Sequence, residues 1–130
     1  MNVLIADSSA GILARLSDII TFKTFNAIIY TAKNFETALR LFTESKPSTV
    51  LLSMNLPGNQ SMELLRAIKK TGYKTSIIIL SIYISNSLME ECKQHGASVF
   101  LDKFLEFEKI PEHINAIETN MKELIIISPT

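Results

Sequence analysis

Short apolar runs alternate along the chain with longer segments in which apolar residues recur at helical spacing. The runs are VLIA at 3–6, AIIYTA at 27–32, TVLLS at 49–53, SIIILS at 76–81 and SVFLD at 98–102. They are continuous rather than alternating, which predicts strands covered on both faces. Between them, Leu13, Leu16, Ile19 and Ile20 form one helical stripe, and Phe35, Ala38, Leu39 and Phe42 a second, with Asn34 placed to cap it. Met62, Leu65 and Ile68 form a third, stopped near Gly72, and Leu88 and Cys92 mark a fourth, stopped at Gly96. Ile114, Ile117, Met121 and Leu124 mark a fifth, opened after Pro111. Five strand-helix units in this order predict an α/β fold: a (βα)5, doubly wound, five-stranded parallel sheet between two layers of helices.

The chain has 130 residues, enough for one core, and no linker, repeat or low-complexity stretch divides it, so residues 1–130 are expected to form a single domain. Its 13 basic and 13 acidic side chains cancel. A pI near 6.7 removes the electrostatic footprint of most nucleic-acid and anionic-membrane binders. The one cysteine, Cys92, excludes an internal disulfide framework and is expected to be a buried small hydrophobe. The start MNVLIADSS lacks a basic segment followed by a long apolar one, and the longest apolar run, 77–84, is far below the ~20 residues that span a bilayer. The expectation is a cytoplasmic protein that meets neither membrane nor nucleic acid.

In a doubly wound sheet the loops after the strands share one rim, where chemistry collects. The rim residues are Asp7 and Ser8 after the first strand, Ser53 after the third, Ser81 after the fourth and Lys103 after the fifth. ADSSAG has neither GxGxxG nor GxxxxGK[ST], which argues against a nucleotide enzyme, and no cofactor is expected. His95 and His113 have no ligand partner at metal-binding spacing.

With these residues in place the chain resembles the receiver domain of two-component response regulators, of the CheY-like, flavodoxin-like type. VLIADSS is similar to that family's first strand and acidic pair, and KPSTVLLSMNLPGNQSMELL to its third strand, phosphoacceptor and Pro-containing loop. SIIILS ends at its Ser/Thr switch position, and GASVFLDK carries its switch aromatic and lysine. The resemblance places the switch on Ser81 and Phe100 and the lysine on Lys103, with Asp7 as the first acid. The second acid falls on Ser8, the phosphoacceptor on Ser53, and Phe104 replaces the Pro that usually follows the lysine.

The resemblance implies an acyl phosphate formed on a carboxylate beside a divalent ion, and both tasks need acids that Ser8 and Ser53 do not supply. Magnesium would be held weakly at best, by Asp7 and the backbone carbonyl of Asn55. Asp7 and Lys103 are expected to pair, Ser8 and Ser53 to be hydrogen-bonded hydroxyls, and Ile82 to narrow access to Ser53. The reading is a degenerate pseudo-receiver, a binding module rather than an enzyme, that works without phosphorylation on a signalling partner such as a kinase or effector. The family's partner and dimer face would here involve Tyr83, Met89, Phe100, Phe104 and Phe107, with a homodimer as one outcome. Whether Phe104, Leu105 and Phe107 cap the core or meet a partner stays open at this level. Two rival readings are a phosphoryl- or anion-responsive receiver using Ser53, Ser81 and Lys103, and a flavodoxin-type electron carrier, for which only Ser8 and Ser9 speak.

Overall fold

A computed structural model describes residues 1–24 and 26–127, with side chains through Thr119. The strands are β1 (Asn2–Ala6), β2 (Ile28–Ala32), β3 (Thr49–Ser53), β4 (Ser76–Ser81) and β5 (Ala97–Asp102). The helices are α1 (Ala10–Lys23), α2 (Phe35–Ser45), α3 (Gln60–Thr71), α4 (Asn86–Gln94) and α5 (Ile110–Ile127). All pairings are parallel, in the spatial order β2-β1-β3-β4-β5. This is the doubly wound flavodoxin-like architecture that the alternation predicts.

Period-two geometry divides the strand residues between two cores. Leu4, Val50, Leu52 and Ile79 face α2, α3 and α4, where they meet Ala38, Phe42, Leu64, Ile68 and Cys92. Val3, Ile5, Leu51, Ile78 and Leu80 face α1 and α5, where they meet Leu13, Leu16, Ile20, Ile110 and Ile114. The central β3 is buried at every position, which accounts for the unbroken apolar run TVLLS. Cys92 is fully buried beside Met62, and burial raises its thiol pKa, so it packs as a small hydrophobe.

The helix boundaries follow their caps. Asn34 accepts the Thr37 N–H at 2.9 Å, and Gly72 ends α3 at φ +73°, a conformation that favours a residue without Cβ. α5 begins at Ile110, earlier than the expected start after Pro111, because a 3-10 turn at Phe107–Lys109 leads directly into it. Proline is tolerated in this first turn, where its missing N–H would have no intrahelical acceptor. Met121 and Leu124 of the predicted stripe lie outside the residues whose side chains are described.

The loop after β5 corrects one expectation. Phe107, placed on a partner surface by the sequence reading, is 5% exposed and packs into the α1/α5 core, with the Arg15 guanidinium 4.5 Å above its ring. Phe104 and Leu105 are 54% and 88% exposed. The Asp102 carboxylate decides this split: it accepts the N–H groups of Phe104 at 2.9 Å and Leu105 at 2.7 Å, forming a tight turn from which both side chains project. Replacing Phe107 by Ala is therefore expected to cost about 3–5 kcal/mol in denaturant unfolding, while Leu105→Ala stays within about 0.5 kcal/mol of wild type.

Candidate functional site

The strand order reverses between β1 and β3, and at that switch point the sheet opens a crevice at its carboxyl edge. Asp7 follows β1 directly, held by its N–H to the Ala32 carbonyl at 3.0 Å, and is fully buried. Ser53 ends β3 and is also fully buried; its hydroxyl donates a short hydrogen bond to Asp7 Oδ2. Lys103 follows β5, its N–H bonded to the Ser81 carbonyl at 3.0 Å, and its ammonium reaches the same Asp7 Oδ2 at 2.7 Å. The two side chains of this ion pair are 6% and 0% exposed. Three strand ends thus converge on one carboxylate.

The other carboxylate oxygen is occupied as well. Asp7 Oδ1 accepts the Ser9 N–H at 2.8 Å and the Asn55 side-chain amide at 3.1 Å. Burial pushes the Asp7 carboxyl pKa up, but hydrogen bonds from Lys103, Ser53, Ser9 and Asn55 together outweigh it and hold the group below its ordinary value. A carboxylate that accepts four donors, one of them a cation, is a weak base and a poor host for further positive charge. Among the described residues, no cluster of three or more acidic, histidine or cysteine side chains could hold a metal ion.

The expected pairing of Asp7 with Lys103 and the hydrogen-bonded Ser53 are both present. Ser8 is exposed and joins the cluster through its backbone N–H, 3.4 Å from Asn55 Oδ1, rather than through the hydroxyl expected of it. Asn55, expected to offer a backbone carbonyl, is engaged through its carboxamide, which bridges Asp7 and Ser8. Ile82, expected to narrow access to Ser53, is 67% exposed and lines a groove together with Lys103, while Ser53 is itself fully buried against Asp7.

Two contributors escape the sequence reading. Ser9 caps α1, accepting the Ile12 N–H, while its own N–H binds Asp7; a serine just before an apolar-periodic segment was the available signal. Ser61 on α3 donates to the Ser53 carbonyl at 2.8 Å and accepts the Leu56 N–H at 3.3 Å, latching the loop after β3, and no local pattern announces it.

Ser81 donates to the Tyr83 carbonyl at 2.6 Å, shaping the β4–α4 loop so that Ile82 and Tyr83 form an exposed ridge, Tyr83 being 81% exposed. On one side lies a groove of about 270 Å³ whose lining includes Tyr83, Met89, Phe100 and Glu106. It brings together three of the residues assigned to a partner face; Phe104 and Phe107 lie outside it.

A model of the response regulator receiver domain family matches residues 3–115. Sporulation initiation phosphotransferase F of Bacillus subtilis is 27% identical over 113 residues, covering 87% of this chain and 90% of that protein. The response regulator domain of Thermotoga maritima CheB superposes with a TM-score of 0.77 at 25% identity, covering 99% of this chain and 98% of that one. The Borrelia burgdorferi CheX-CheY-BeF3-Mg2+ complex gives 0.79 at 25% identity, covering 91% and 89%.

Because Asp7 has a depressed pKa in the folded state, its contribution to stability is complete above the ordinary aspartate value of 3.8 and is lost as pH falls through the folded value. Urea unfolding across an acid series should show this as a fall in midpoint beginning near pH 4, with a slope in Asp7→Asn shallower by up to about one proton. A slope unchanged in the variant would contradict the assignment.

Proposed function

The chain belongs to the response regulator receiver domain family of two-component signalling, and on that premise we propose that it is a receiver in which an internal ion pair has taken the place of phosphoryl chemistry. The observation that carries this reading is the buried contact of Lys103 with Asp7 at 2.7 Å, with the Ser53 hydroxyl turned onto the same oxygen. In the family the position of Ser53 supplies the accepting carboxylate; here it holds a hydroxyl, which attacks a phosphoryl donor only if a base removes its proton. Asp7 is the one group placed to do so, and its four hydrogen-bond donors weaken it as a base. Ser53 is besides fully buried.

A divalent ion does not fit this donor set either. Among the described residues Asp7 is the only acid in the cluster, both its oxygens are already engaged, and magnesium would have to displace an ammonium from a buried carboxylate. The role that remains is recognition: the module binds a signalling protein through its surface, without phosphorylation and without catalysing a reaction. The groove beside the Tyr83 ridge, containing Met89 and Phe100, supports that role, with exposed Phe104 as a neighbouring contact and Phe107 as part of the core. The CheY of the Borrelia complex, bound to CheX, is a related receiver engaged by a protein.

Incubation with magnesium and acetyl phosphate is expected to leave the intact mass of the full chain unchanged, and magnesium alone to leave the amide resonances of Asp7, Ser53 and Ser81 in place. A phosphoryl adduct mapped to Ser53, or saturable magnesium shifts at Asp7, would overturn the proposal.

A further inference from the structure

On the other side of the Ile82–Tyr83 ridge lies a second groove of about 410 Å³, a volume in the range of small-molecule sites. Its wall is mostly apolar, with Met54, Leu80, Ile82 and Leu88, and its polar lining includes Asn55 and Lys103. An ammonium carries three donor hydrogens. That of Lys103, on a side chain only 6% exposed, has Asp7 Oδ2 as its acceptor and makes no other hydrogen bond among the described residues. The nearby hydroxyl of Ser81 is committed to the Tyr83 carbonyl, and the Asn55 amide to Asp7. Lys103, paired with Asp7 through one acceptor only, therefore keeps spare donor hydrogens in a mostly apolar groove.

We propose that this groove binds a small ligand with an aromatic or aliphatic body and one uncharged oxygen acceptor, such as a carboxamide or ketone, whose oxygen meets the Lys103 ammonium. The inference rests on the reading of the rim as an internally paired site. Asp7 already neutralises Lys103, so a dianionic phosphate would sit close to the Asp7 carboxylate with no spare cation and no metal to offset the repulsion. A neutral acceptor satisfies the ammonium without that repulsion, while the apolar body covers Met54, Ile82 and Leu88.

The test is an amide NMR titration of the full chain, without magnesium, using benzamide, benzoate and phenyl phosphate as probes. Benzamide is expected to give saturable millimolar shifts at Ile82, Leu88 and Lys103, benzoate weaker ones and phenyl phosphate none. Ile82→Asp, at a largely exposed position that leaves the core untouched, should weaken benzamide by roughly tenfold, equivalent to about 1.4 kcal/mol of lost apolar contact. No shift with benzamide, equal or tighter binding of phenyl phosphate, or unchanged affinity in Ile82→Asp would each overturn the ligand assignment. Those results leave the ion-pair reading standing. A response of Asp7 and Ser53 to added magnesium and acetyl phosphate in the same samples would instead overturn that reading and the ligand class drawn from it.

Discussion

The carboxyl edge of this sheet depends on one buried carboxylate and the cation that meets it. Asp7 stands after β1, Ser53 at the end of β3 and Lys103 after β5, so the contact of the ammonium and the serine hydroxyl with Asp7 Oδ2 ties three strand ends across the crevice. Such a pair is not a strong net stabiliser, because desolvating both charges costs about what their attraction returns. Its importance lies in the dependence of each partner on the other: with one removed, the second is left charged and buried. The amides of Ser9 and Asn55 complete the shell, leaving no carboxylate oxygen without a donor. The chemistry still open to the edge is set by that saturation, since the lysine keeps donor capacity while the acid keeps almost no capacity to accept.

Much of this was legible in the chain because the signals were physical and local. Continuous Val/Ile/Leu runs marked strands buried on both faces, and β3 and β4 match their predicted limits. Residues that come directly after a strand, Asp7 and Lys103, are fixed in place by the sheet register, so their meeting could be anticipated. The misses concern directions that no periodicity encodes. Phe104, Leu105 and Phe107 are equally apolar in sequence, and it is the hydrogen bonding of Asp102 to two succeeding amides that turns the first two outward, while Phe107 enters the core under Arg15. Asn55 offers either a carbonyl or a carboxamide, and only the fold shows its amide beside Asp7. Ser61 acts eight residues from Ser53, through a helix turn that had to be built before the contact could exist.

The surface is shaped by the same constraint. With the Ser81 hydroxyl bound to the Tyr83 carbonyl within its own loop, Ile82 and Tyr83 stand out as a ridge between two grooves, one running toward Met89 and Phe100 and one toward Lys103. Ile82 and Tyr83, 67% and 81% exposed, give the ridge a contiguous apolar crest directly beside the buried ion pair.

The most direct measurement is a double-mutant cycle on the ion pair, with Asp7→Asn, Lys103→Met and the combined variant unfolded in urea at neutral pH. Mutual dependence of the two charges predicts that each single change is costly and that the double variant is more stable than the sum of the two losses implies, by about 2 kcal/mol or more. Strictly additive losses would mean that Asp7 and Lys103 do not depend on each other, and the ion pair would lose its place at the centre of this site.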